Sequence, residues 1–129
     1  MSITRIPSSF GAFSELVVIP APGGTWIHIS GQVGFDASGT AVVGGGVGAE
    51  TAVILDQIEL LLGQVGAGLS HVVKLNAFLT DLSTYGEFSA VRAERFPTDP
   101  PASAAVGVAD LLLGAGVEVD GVAFLPETA

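Results

Sequence analysis

A chain of 129 residues with 49% hydrophobic and 13% charged residues can bury about two-thirds of its unfolded surface in one domain, which excludes a disordered segment. Thirteen Asp and Glu against four Lys and Arg leave a formal charge of −9, which repels phosphate backbones and excludes nucleic acid as an expected partner. The absence of cysteine excludes disulfides, thiol nucleophiles and cysteine-bound metal centres, and two histidines are too few for a histidine-rich metal site, so no metal and no cofactor is expected.

No apolar run approaches the ~20 residues that span a bilayer, and Met1 is followed by polar Ser2 and Thr4 and then Arg5 rather than by an apolar leader. The expectation is one soluble cytoplasmic domain over 1–129 with no membrane partner. Along the chain, "ELVVIPA" and "TWIHIS" flank "PGG", which predicts a β-hairpin over roughly 15–32. The glycine cluster "VVGGGVG" at 42–48 lacks a following Lys-Ser/Thr and is read as a flexible connection, not a phosphate loop. Ile54, Ile58, Leu61 and Val65 recur at helical spacing, which predicts an amphipathic helix from Glu50 to Val65.

"HVVKLNAFLT" predicts a strand with Val73, Leu75, Ala77 and Leu79 on one face and Lys74, Asn76 and Phe78 on the other. "STYGEFSAVRAERF" predicts a second helix that opens on a Thr84/Glu87 capping box, turns Tyr85, Phe88 and Val91 to one side and stops before Pro97. Arg92 and Arg95 on it read as solvated. Strands over 102–108 and 117–124, joined by "ADLLLGAG", complete an α+β order of ββ-α-β-α-ββ.

Two helices are too few to cover both faces of a sheet, so they are expected on one face. The other face then needs a cover. Alternation puts the small residues Ser103, Ala105 and Gly107 on one side of their strand, and Glu118, Asp120, Val122 and Phe124 on one side of the next. We expect Ser103 to face a cleft closed by a second copy of the chain. Glu118 and Asp120, about 7 Å apart along a strand, read either as a solvated acidic edge or as a partly buried pair in which like charge raises at least one pKa.

"ISGQVGFD" (29–36), "GAGLSHVVKLNAFLTDLSTYGEF" (66–88) and "RFPTDPPASAAVGVADLLLGAGVEVDGVAF" (95–124) together resemble the RidA/YjgF family of imine and enamine deaminases. The resemblance implies a chorismate-mutase-like fold, a mixed sheet of about six strands with two helices on one face, and a homotrimer with clefts between subunits. It implies Ser30 and Gly31 in the pocket turn and Glu118 as the residue that positions the attacking water. Ser103 stands where deaminating members carry an arginine that pairs with the substrate carboxylate. Ala105 stands for the family's cysteine, Ser89 for its asparagine and Phe13 for its pocket tyrosine.

Two functions follow. The first is a hydrolase acting on C–N bonds of small imines, enamines or related amides, with weak turnover of 2-iminopropionate because the arginine is replaced. The alternative is a noncatalytic protein that binds a metabolite or a partner segment in the same cleft. With Glu118 left as a charge of the cleft, joined by Asp120 if that residue also faces it, its ligand is expected to be neutral or cationic rather than a carboxylate. A His28–Ser30 base and nucleophile pair is a weaker reading, since no acid is in place to orient the histidine. His71 reads as exposed at a turn and Trp26 as packing. Ribonuclease activity, described for some members, is disfavoured by the charge of −9.

Overall fold

The computed structural model describes residues 2–128 and arranges them around one six-stranded sheet. The strands are β1 (Thr4–Pro7), β2 (Ser14–Ala21), β3 (Gly24–Gln32), β4 (Val72–Leu79), β5 (Ala102–Gly107) and β6 (Val117–Pro126), in the spatial order β1-β2-β3-β6-β4-β5. The helices are α1 (Val47–Gly63) and α2 (Tyr85–Arg95). The mixed sheet and the order of its elements agree with the expected α+β arrangement. β1, the added edge strand, pairs antiparallel with β2 and had no signal of its own in four residues.

The predicted hairpin forms as β2 and β3, with Ala21 opposite Gly24 and Pro22–Gly23 at the corner. Gly23 takes φ 85°, the left-handed conformation that a proline-glycine corner places at its second residue. β4 and β5 run parallel, joined through α2, and every other pairing is antiparallel. Both helices lie on one face. There Ile54, Leu55, Ile58 and Leu62 of α1 and Phe88 of α2 bury against Ile27, Ile29, Leu75, Leu79, Val117 and Val119 of the sheet.

Three local readings are corrected. Val73 was expected on the same face as Leu75, Ala77 and Leu79, yet it is 42% exposed and Val72 takes its place among them. The cause is a bulge: two steps on β4 from Val72 to Lys74 match one step on β6 from Ala123 to Val122, which reverses the alternation once. The Thr84/Glu87 capping box does not form. A 3₁₀ turn at Leu82–Thr84 precedes α2, Asp81 accepts from the Ser83 N–H at its start, and Glu87 instead accepts from the Gly48 N–H in the first turn of α1. Tyr85 stays outside while Phe88 is fully buried and Val91 packs at the core edge.

Phe88 joins α2 to the core, so Phe88→Ala is expected to lower unfolding free energy by about 3–5 kcal/mol, read as a lower urea midpoint. An unchanged midpoint would show that α2 is held by something else. The opposite sheet face keeps Trp26 (41% exposed), Val106 (49%), Phe78, Val122 and Phe124 at least partly open, with Trp26 tilted on Phe124 at 4.8 Å. Among the described residues no helix is long and apolar enough to cross a membrane.

Candidate functional site

The site residues read from the sequence fall into two groups. Glu118 opens the first, near the start of β6. It lines a pocket of about 130 Å³ with Phe10, Phe13, Gly31, Phe35 and Leu112. Its carboxyl pKa is raised above the usual 4.5, first by burial and second by the charge of Asp120, in the direction expected of this pair. Asp120 itself accepts from Asn76 Nδ2 at 2.7 Å.

A second bulge shapes this pocket. Between Ile29 and Gln32 three steps on β3 match two on β6, so Ser30 and Gly31 leave the ladder. A Cβ on Gly31 would lie 2.6 Å from Glu118 Oε2, so a larger residue there would push the carboxylate off its present seat on the backbone. The Ser30 hydroxyl turns the other way and donates to the Ser14 carbonyl of β2. It ties the bulge down and does not line the pocket. Glu15 and Gln32 also line the pocket: Gln32 donates to Glu15 Oε1 at 3.0 Å, and half-buried Gln57 of α1 donates to Gln32 Oε1 at 3.2 Å.

The second group contains Ser89, Ser103 and Ala105, and here the expected orientation is corrected. β5 pairs in parallel with β4, Ser103 beside Leu75, Ala105 beside Ala77 and Gly107 beside Leu79. Since Leu75 and Leu79 are core residues, the small side chains share the helix side of the sheet and not the uncovered face. Ser103 and Gly107 stay exposed there and Ala105 half-buried. Arg92, expected to be solvated, lays its guanidinium over the start of β5: Nη1 donates to Ser103 Oγ at 2.8 Å, and Nη2 donates to the Tyr85 hydroxyl at 2.9 Å and to Ser89 Oγ at 3.2 Å. Arg95 is paired with Asp56 at 2.6 Å.

The two groups cannot meet within one chain. Glu118 pairs with Phe78 and Ser103 with Leu75, three residues apart on β4 and therefore on opposite faces of the sheet. The pocket at Glu118 is also well below the ~300 Å³ at which ligand pockets begin.

Comparison with known proteins agrees with this fold. The family model described as Endoribonuclease L-PSP matches residues 3–125. The chain belongs to the RidA/YjgF family. Among its relatives, the 2-iminobutanoate/2-iminopropanoate deaminase of Rattus norvegicus is 31% identical over 123 residues, covering 95% of this chain and 87% of that protein. Protein DfrA of Myxococcus xanthus is 33% identical over 119 residues, covering 92% and 89%. The crystal structure of RidA from an Antarctic Psychrobacter superposes with a TM-score of 0.80 at 30% identity, covering 97% of this chain and 99% of that one.

In this RidA/YjgF member Ser103 stands where the resemblance implies an arginine, and the Arg92 guanidinium of α2 donates to it. A neutral or cationic ligand was expected from Glu118 with an uncharged Ser103, and Arg92 now stands as a cation beside Ser103. Arg92 and Tyr85 were missed, although Tyr85, Ser89 and Arg92 stand at i, i+4 and i+7, the spacing of one helix stripe. The weaker candidates resolve simply. His28 is exposed on the uncovered face, and the Ser30 hydroxyl is committed to β2, so the pair forms no base and nucleophile. His71, expected to be exposed, is half-buried, and its Nδ1 accepts from the Gly68 N–H at 3.0 Å to close a 3₁₀ turn. Among the described residues no cluster of three or more His, Asp and Glu could hold a metal ion.

Proposed function

We propose that this RidA/YjgF member is a homotrimer, working in the cytoplasm, that hydrolyses a small imine or enamine in clefts between its subunits. The observation that carries the reading is the split site: Glu118 and Ser103 serve one ligand only if neighbouring copies supply one half each. The partly open apolar face around Trp26, Phe78, Val122 and Phe124 gives copies a surface to bury against one another. In the reaction, water adds to the carbon of the C=N bond and the nitrogen takes a proton. The resulting carbinolamine then loses ammonia to leave a carbonyl. The Glu118 carboxylate accepts the proton of the attacking water and returns it to nitrogen, a task suited to a carboxyl whose pKa is raised. The acidic half-site takes the neutral or cationic nitrogen end of the ligand.

A second reading, a noncatalytic binding protein using the same cleft, is favoured by one observation, the serine at position 103. Ammonia release from freshly generated 2-iminobutanoate, measured beside sedimentation velocity, separates the two. Turnover above the spontaneous rate, with a sedimenting mass near three times the 12.9 kDa chain, is the expected result. A trimer that leaves the spontaneous rate unchanged for several imines would establish the binding protein instead, and a stable monomer at micromolar concentration would remove the interfacial site.

A further inference from the structure

We infer that Arg92 is the anchor for a carboxylate group on the ligand, reaching from α2 into the half-site where Ser103 stands; the inference takes the cleft of the proposed function as the place of binding. Among the described residues the one ion pair is Arg95–Asp56, so Arg92 has no carboxylate within 4.0 Å in a chain whose acids outnumber its bases thirteen to four. Three neutral hydroxyls hold it instead: Ser103, Tyr85 and Ser89. The guanidinium also lies 5.2 Å from the Phe88 ring centre and 5.6 Å from that of Tyr85, two faces that fix its plane. It is half-buried, so a ligand can reach it.

The donor arithmetic points to an anion. A guanidinium has five N–H bonds, and three are spent on the hydroxyls, so two remain free. Each hydroxyl accepts from Arg92 and keeps its own proton to donate. A fixed positive charge ringed by O–H and N–H donors, with no negative partner, matches a group that only accepts. The guanidinium also lowers the Tyr85 phenol pKa, by hydrogen bonding first and by its charge second, which strengthens that O–H as a donor. The net charge of −9 repels a phosphate dianion more than a carboxylate monoanion, so the smaller charge is selected. Together with an acidic half-site for the nitrogen end, the cleft fits a short 2-imino acid, with its carboxylate on Arg92 and its C=N group at Glu118 of the neighbouring copy.

The test compares binding and turnover in the purified protein, its Arg92→Met variant and its Arg92→Lys variant. The probes are 2-oxobutanoate, which keeps the carboxylate, and 2-oxobutanamide, which does not. Wild type should bind the acid more tightly than the amide. Arg92→Met should weaken acid binding by about tenfold or more, the loss of one charge-assisted pair, and leave the amide unchanged. Arg92→Lys should retain part of the preference, because it keeps the charge and loses the fork. Ser103→Arg crowds two guanidinium groups into one half-site and is expected to give no gain in 2-iminobutanoate turnover. Equal acid binding in wild type and Arg92→Met, or no acid preference in wild type, would overturn the inference. The outcomes separate the two proposals: Arg92-dependent acid binding without turnover removes the reaction and keeps the anchor, and full turnover in Arg92→Met removes the anchor and keeps the reaction.

Discussion

Glu118→Gln is expected to lower kcat for imine hydrolysis by about 10²- to 10⁴-fold, the usual contribution of one positioned acid–base group. The glutamine fills the same space over Gly31 and can still hydrogen-bond a water, but it cannot take the water's proton. Its effect should therefore fall on kcat and leave binding of the 2-oxo acid product nearly intact. The pH profile gives a sharper signature. Burial and then Asp120 raise the Glu118 pKa above 4.5, so wild-type activity should fall as pH drops through a value above that of an ordinary glutamate.

Stability runs the opposite way. A carboxyl whose folded pKa is raised is favoured in its protonated form by the native state. That contribution is fully present below the unfolded value and is lost as pH rises through the folded one. Glu118→Gln should therefore raise the melting temperature at pH 7, and the difference should disappear near pH 4. A variant that loses stability at pH 7, or keeps wild-type kcat, would show that Glu118 braces the structure and moves no proton. Gly31 belongs to the same site, because a Cβ there would displace the Glu118 carboxylate from its present position.

Mixing two inactive chains should restore activity. Ser103→Asp puts a carboxylate against Arg92 and disables one half-site, and Glu118→Gln disables the other. Each variant alone is expected to be nearly inactive. Co-expressed in equal amounts and assembled at random, they should recover about a quarter of wild-type activity, because an intact site needs an unaltered Glu118 from one copy and an unaltered Ser103 from its neighbour. Activity that stays at the level of the separate variants would place both residues in one subunit's site, and the opposite-face geometry of Glu118 and Ser103 would then have to change in solution.

Local patterns in the sequence carried most of the fold. The hairpin at Pro22–Gly23, the apolar period of α1 and the buried Phe88 are decided by residues within a few positions of one another, through φ preference and through side-chain spacing on one element. The pairing of Glu118 with Asp120 was legible for the same reason, since two residues of one strand two apart share a face. The RidA/YjgF resemblance followed from three such segments in order. Gly31 could be named from that resemblance, but the reason for it, the carboxylate standing on its backbone, required the bulge.

The faces and the partners were decided by the tertiary structure. Alternation says that Ser103, Ala105 and Gly107 lie together, and says nothing of which side they take; the parallel register with β4 sets them beside Leu75, Ala77 and Leu79, on the helix side. One extra residue at Val73 reverses a strand's alternation, and no short pattern announces where such a residue falls. Glu87 had a local partner available at Thr84, and the packing of α2 against α1 offered it Gly48 instead. Arg92 is separated from Ser103 by eleven positions and a strand crossover, so its identity as a cation was plain in the sequence while its place was not. Spacing along the chain sets what an element is, and register between elements sets what each side chain meets.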